Sequence, residues 1–251
     1  MRIVLLRHGE TDRNTADLFQ GQADLPLNAA GRRQAREAAE ALSPGAWAAV
    51  YSSPMIRAVQ TASYAAEHLR APHHVLDGLR ERHLGDLDGR HRATFGRQHP
   101  DALRRLLDDL DHAPAGGETG RAVLSRSARA LVDIARAERG SGGAVLVVTH
   151  GGVLNLLARA LTGRASGHRP LVATCAAACL DVEWPPQGGP HAVLRADGVA
   201  ARDCEPDVLP RALPGGGPSV ALEDLATEAP DAAPTASPTD PDPDTERALL
   251  P

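Results

Sequence analysis

His8 and His150 each follow a short apolar run, in LLRHG (5–9) and VVTHGG (147–152), and each is followed by glycine. A neutral imidazole offers a lone-pair nitrogen near physiological pH, so a histidine so placed can act as nucleophile or base. Arg7 adjoins the first of them, and Arg57 lies a few residues after Ser53-Pro54. A guanidinium is a fixed planar cation that holds phosphate through paired hydrogen bonds. Two histidines, two arginines and a helix N-terminus after Gly151-Gly152 would together make a positive pocket for a dianionic phosphoryl group. Singly, each feature is ordinary. A lone histidine at a strand end more often holds structure, and a lone arginine at a helix start is usually a solvated charge. Their joint occurrence in this order points to phosphate, although spacing alone does not name a reaction.

The elements that must position these groups alternate. Ile3–Leu6 and Ala144–Thr149 read as strands buried on both faces, and Trp47–Tyr51 as a third. The Ala-rich amphipathic stretch Asn28–Leu42 reads as a helix. Ser53-Pro54 supplies an N-cap and first-turn proline for another helix, reaching about Leu69. Further helices are predicted over Asp101–Leu110, from Glu118-Thr119 to near Arg139, and over Val153–Leu161. Weaker strands are predicted over His74–Leu79, Ala173–Trp184 and Ala192–Ala196. Strands alternating with helices predict a three-layer α/β/α sandwich with a mostly parallel central sheet. Ligands of such sheets bind beyond the carboxyl ends of the strands, so both histidines belong in one crevice.

The 251 residues are 42% hydrophobic but only 2% aromatic, so the core must be built from Ala, Leu and Val. No apolar run approaches the roughly 18 residues of a membrane-spanning helix. The opening strand does not resemble a signal peptide, and three cysteines do not make a disulfide framework, which together predict a cytoplasmic protein. There is no lysine, which excludes a Schiff base or a P-loop lysine. The segment to Cys204 carries 25 arginines against 22 acidic residues, too balanced for a nucleic-acid footprint. From Glu205 onward there are 2 arginines, 10 acidic residues and 10 of the 20 prolines. Residues 1–204 are therefore expected to form the folded domain, and 205–251 an acidic disordered tail.

LLRHGETDRN (5–14) resembles the signature of the histidine phosphatase superfamily, the phosphoglycerate mutase-like family, in its branch 1 form. The resemblance continues through FQGQADLPLNAAGRRQA (19–35), YSSPMIRAVQTA (51–62), LRE (79–81), GGET (116–119) and VVTHGGVL (147–154). It implies a phosphomonoester hydrolase needing neither metal nor cofactor, with a small phosphorylated metabolite as its partner rather than nucleic acid or membrane. A homodimer is compatible with it. By the same resemblance His8 is the nucleophile that becomes a phosphohistidine. Arg7, Arg57 and His150 bind the phosphoryl oxygens, with hydrogen bonds added by Asn14 and the Gly151 amide. Glu81 falls where relatives carry the proton donor, and Gln20 and Gly21 match a loop at the substrate entrance.

Other positions have plainer readings. Asn28 is expected to cap its helix, Glu118 to favour the start of the next, and Asp86 and Asp88 to lie in a solvated loop. Cys175 and Cys179 read as small buried hydrophobes. The Arg-rich segment holding Arg82, Arg90, Arg92, Arg97, Arg104 and Arg105 suggests a preference for small anionic phosphates. Two other functions stay in view. A phosphoglycerate mutase would use the same pocket, but the lysines and the longer Lys/Tyr-containing insertion of dedicated mutases are missing. A non-catalytic phosphoprotein-binding module usually lacks the nucleophile or the acid, whereas His8, Glu81 and His150 are all present.

Overall fold

The apolar run RIVLLR becomes β1 (Arg2–Arg7), buried on both faces from Ile3 to Leu6. A computed structural model of the chain describes residues 1–43, 47–163, 173–200 and 218–227. After β1 come α1 (Asp12–Thr15), α2 (Ala29–Glu40), β2 (Trp47–Ser52), α3 (Ile56–Leu69) and β3 (His73–Val75). Then follow α4 (Arg92–Gln98), α5 (Pro100–Asp108), α6 (Gly120–Ala137), β4 (Ala144–Thr149) and α7 (Gly151–Thr162). The described chain ends with β5 (Ala176–Glu183), β6 (His191–Ala200), β7 (Val220–Ala221) and α8 (Leu222–Ala226).

These strands form one sheet in the order β3-β2-β4-β1-β5-β6-β7. The four strands from β3 to β1 are parallel, and β5, β6 and β7 add to them antiparallel. The sheet is thus mixed. The short connection between β5 and β6 can only reverse the chain, because a parallel neighbour needs a long crossover.

Alternate side chains of each strand serve opposite layers. Val4, Leu6, Val50, Leu146 and Val148 pack with Ala39 of α2 and Ala58, Ala62 and Ala65 of α3. Ile3, Leu5, Val145 and Val147 pack on the other face with α6, α7 and Leu222 of α8. Alanine at the contacts lets helices approach the sheet closely, which is how a core with so few aromatic rings closes.

Several elements differ from expectation. The strand expected over His74–Leu79 is only His73–Val75, followed by a 3-10 turn at Asp77–Leu79, because β2 offers backbone partners over just three residues. Ser53 does not cap α3. That helix starts at Ile56 behind Met55, which makes no side-chain cap bond. The Asp101–Leu110 helix is α5, preceded by an unforeseen α4; Pro100 lacks the N–H a continuous helix would use, so it starts a new one. Residues 218–227 lie inside the expected tail yet form β7 and α8. β7 pairs with β6, Leu222 is fully buried, and Ser125 and Arg129 of α6 donate to the Ala226 carbonyl (2.9 and 3.2 Å). The rest of 205–251 falls outside the described residues. Cys179 is fully buried in the core and Cys175, a half-buried free thiol, packs against it, as expected of small hydrophobes. Among the described residues no helix is long and apolar enough to cross a membrane.

Candidate active site

β1 and β4 run side by side with Arg7 level with Thr149, and the His8 N–H donates to the Thr149 carbonyl (3.0 Å). His8 and His150 therefore leave the sheet together. From β1 the chain crosses toward β2, while from β4 it passes through α7 to β5 on the opposite side of β1. The strand order reverses between them, and this opens a crevice at their carboxyl ends. The two rings lie 5.2 Å apart, centroid to centroid, tilted by 59°.

Hydrogen bonds orient both rings and fix the tautomer of His8. Nδ1 of His8 is 2.7 Å from the Gly9 carbonyl, which can only accept, so Nδ1 carries the proton. Nε2 is then a lone pair, and the Arg57 Nε–H donates to it (3.3 Å). Burial, then Arg57 and Arg7, hold the His8 pKa well below 6.5. Nε2 of His150 meets the Ser53 hydroxyl at 2.8 Å. That hydroxyl already accepts from Met55 N–H (3.2 Å), so its own proton is available to Nε2. Nδ1 of His150 is buried without a hydrogen-bond partner among the described residues. With the Ser53 proton directed to Nε2, Nδ1 carries the ring proton and is a ready donor to an oxyanion. Burial, then Arg57 and His8, also keep this ring neutral.

Arg57 is wholly buried, and its Nη atoms donate to the carbonyls of Ala23 (2.8 Å) and Gly21 (2.9 Å). Burial lowers its pKa to about 10, so it stays cationic at neutral pH. Arg7 at the end of β1 is likewise lowered by burial. Gln20, with its amide nitrogen turned to Thr11 Oγ1 (2.7 Å), accepts from Arg57 Nε and Nη1 (3.2 Å each). Gly21 thus acts through its carbonyl on Arg57. Asn14 Oδ1 accepts from Thr11 N–H in the cap of α1 (3.1 Å), which leaves its amide nitrogen as the donor for the cleft it lines.

Glu81 comes from a loop, and both its oxygens are tied down. Oε1 accepts from Arg82 N–H (2.8 Å) and Oε2 from Gly152 N–H at the start of α7 (3.0 Å). A Cβ at Gly152 would lie 2.3 Å from Oε1, so the second glycine of THGG makes room for this carboxylate. Every predicted site residue thus falls in or around one crevice, with Gly21 in a supporting position.

A model of the histidine phosphatase superfamily (branch 1) matches residues 3–196. The chain belongs to this superfamily. It is 37% identical over 166 residues to the glucosyl-3-phosphoglycerate phosphatase of Mycobacterium tuberculosis, covering 64% of this chain and 74% of that one. It is 38% identical over 177 residues to a metal-independent phosphoserine phosphatase of Arabidopsis thaliana, covering 68% and 73%. The structure of mycobacterial glucosyl-3-phosphoglycerate phosphatase with VO3 superposes at a TM-score of 0.67 and 31% identity, over 79% of this chain and 98% of that one.

Four supports of this histidine phosphatase site escaped the sequence. Ser53 turns His150, as described. Arg126 of α6 donates to the carbonyls of Gly78, Arg80 and Glu81 (2.9, 2.6 and 2.9 Å), and so shapes the loop that presents Glu81. Glu118 lies at the start of α6 as expected, next to the Thr119 cap, and also pairs with that same Arg126 (3.0 Å). Asp88 is half-buried rather than free in solvent: it accepts from Gly21 N–H (3.2 Å) and pairs with Arg13, tying the entrance loop down. The arginine-rich segment is also redirected. Arg90, Arg97, Arg104 and Arg105 are exposed, and Arg82 is buried against the carbonyls of Glu118, Leu106 and His112 (2.9, 2.8 and 2.6 Å).

Asn28 caps α2 as expected, with Oδ1 accepting from Gly31 N–H (2.8 Å). Gly31 is critical for another reason: a Cβ there would sit 2.0 Å from the Glu10 carbonyl oxygen. Both partners are backbone, so the RHGE turn would have to move. Gly31→Ala is expected to lower stability by about 3 kcal/mol, or roughly 6–12 °C in Tm for a domain this size. Thermal unfolding followed by circular dichroism reads this, and an unchanged Tm would contradict the close approach.

Proposed function

We propose that this histidine phosphatase hydrolyses small phosphomonoesters through a phosphohistidine on Nε2 of His8. The observation that carries the reading is the fixed tautomer: Nδ1 donates to Gly9 O and leaves Nε2 as the lone pair beside Arg57. Nε2 attacks phosphorus, the ester P–O bond breaks, and Glu81 passes a proton to the leaving alkoxide. A water then attacks phosphorus, Glu81 takes its proton, and the P–N bond breaks to release phosphate and restore the imidazole. Arg7, Arg57, His150 Nδ1, Asn14 and the Gly151 amide neutralise the charge spread over the equatorial oxygens in both steps. These groups supply the positive potential that a metal would otherwise provide. Small phosphorylated substrates fit the relatives, which are named for glucosyl-3-phosphoglycerate and phosphoserine. A cytoplasmic location agrees with such substrates.

The test is a phosphomonoester panel assayed for phosphate release, with the protein quenched during turnover. The expected result is release of inorganic phosphate together with an acid-labile, alkali-stable phosphoprotein. Interconversion of monophosphoglycerates without net phosphate release would replace hydrolysis by mutase chemistry.

A further inference from the structure

A cavity of about 520 Å³ opens beyond the phosphoryl pocket and runs along one face of α7. Gly151, Asn155 and Arg159 line it at intervals of four residues, so they share that face and span ~12 Å of the helix axis. The phosphoryl group belongs at the Gly151 end, and the leaving group extends toward Arg159. Across the cavity stands the end of α5, whose Leu106, Leu107 and Asp108 line the same space.

The last carbonyls of a helix find no partner within it. In α5 the Asp109 N–H takes the Arg105 carbonyl (3.0 Å), and two guanidiniums take the three that follow. Arg82 donates to Leu106 (2.8 Å), and Arg159 donates to Leu107 (2.6 Å) and Asp108 (3.2 Å). Floor and roof of the cavity therefore meet at Arg159, about two turns of α7 from the phosphoryl pocket. The roof otherwise packs on a small core of its own (Phe19, Leu87, Phe95 and Leu106), apart from the two cores that hold the sheet. Its attachment at Arg159 is polar and half-buried, so releasing it frees the end of α5 without disturbing the sheet.

We propose that Arg159 sets the size limit of the leaving group. By latching α5 to α7 it closes the far end of the cavity, and alcohols longer than this span are rejected. The inference rests on the phosphatase reading above and specifies which esters it accepts: phosphomonoesters of compact alcohols, with an apolar stretch tolerated against Leu106, Leu107 and Leu156. A guanidinium suits the task because one planar group satisfies two adjacent carbonyls at once. Arg159 is thus a specificity residue and takes no part in the bond-breaking steps.

The experiment measures phosphate release from n-alkyl phosphates, ethyl to dodecyl, by the full chain and by Arg159→Ala and Arg159→Lys. The bond broken and the basicity of the alkoxide are constant along this series, so differences in kcat/KM report the leaving-group cavity alone. In the wild type kcat/KM is expected to climb by up to about fourfold per methylene while the chain fills the cavity, and then to break off. In Arg159→Ala the break should move to longer chains. The first ester that the wild type rejects should gain about tenfold or more relative to ethyl phosphate, chiefly through KM. Arg159→Lys, which keeps a cationic donor of similar reach, should leave the break near its wild-type place. Hydrogen exchange of the α5 amides, faster in Arg159→Ala, reads the opening of the latch independently of turnover. Arg159→Gln takes the place of the alanine variant if the latter does not fold. The proposal is overturned if the wild type shows no break, if the break stays in place in Arg159→Ala, or if a folded variant loses activity on all esters in parallel. Release from the phosphomonoester panel but from none of the alkyl esters also overturns it. Release from neither removes the phosphatase reading itself.

Discussion

His8→Ala is expected to lower kcat/KM by at least about 10⁴-fold, on the scale of other enzymes that lose a covalent nucleophile. The physical reason is that nothing else in the crevice can replace it. The other imidazole is engaged, with Nε2 of His150 2.8 Å from the Ser53 hydroxyl. Glu81 is held by the amides of Arg82 and Gly152. The variant should still bind inorganic phosphate within a few-fold of the wild type, because Arg7, Arg57 and His150 remain. Retained binding with lost turnover and no trapped phosphoprotein distinguishes removal of the nucleophile from collapse of the pocket. Calorimetric titration with phosphate, beside the turnover assay, reads both. Residual activity above a few per cent would assign the attack to another atom.

What was legible in advance follows from how far apart in sequence the cooperating atoms lie. His8 and His150 were readable because each is announced locally, by a buried strand before it and glycine after it. The parallel pairing of β1 with β4 then does the assembly. Arg7 and Arg57 were readable as charge types in the right neighbourhood. Ser53 gave a local signal that pointed elsewhere: Ser-Pro ahead of a helix reads as a cap, and only the meeting with a residue 97 positions away shows its hydroxyl on His150. Arg126 is an ordinary helix cation until the loop of Glu81 folds across it. The Arg-rich segment was legible only by residue type. Residue type reveals a guanidinium, but not whether a carbonyl or an external anion will occupy it, and Arg82 is occupied by three carbonyls. The tail reading missed one segment through averaging. Its proline-rich acidic composition is real, yet VALEDLA (220–226) contains enough apolar surface to add β7 and lay α8 on α6.

The second large effect concerns Glu81, and its signature depends on the leaving group. Gln is nearly isosteric, but its amide nitrogen cannot accept from either backbone N–H and it has no proton to exchange. For an alkyl phosphate, whose alkoxide needs a proton as it departs, Glu81→Gln should reduce kcat by about 10²- to 10⁴-fold, the usual span for a lost general acid. For p-nitrophenyl phosphate the leaving phenolate is stable without protonation, so formation of the phosphohistidine should be little impaired. The second step still lacks the base that takes a proton from water. The variant is therefore expected to give a burst approaching one equivalent of nitrophenolate, followed by a slow steady state in which the phosphoprotein accumulates. Stopped-flow absorbance and a quench at the end of the burst measure the two quantities separately. Equal loss on both substrates with no burst would mean that Glu81 acts before chemistry, by holding Gly152 and the start of α7. Unchanged turnover on both would remove it from the reaction altogether.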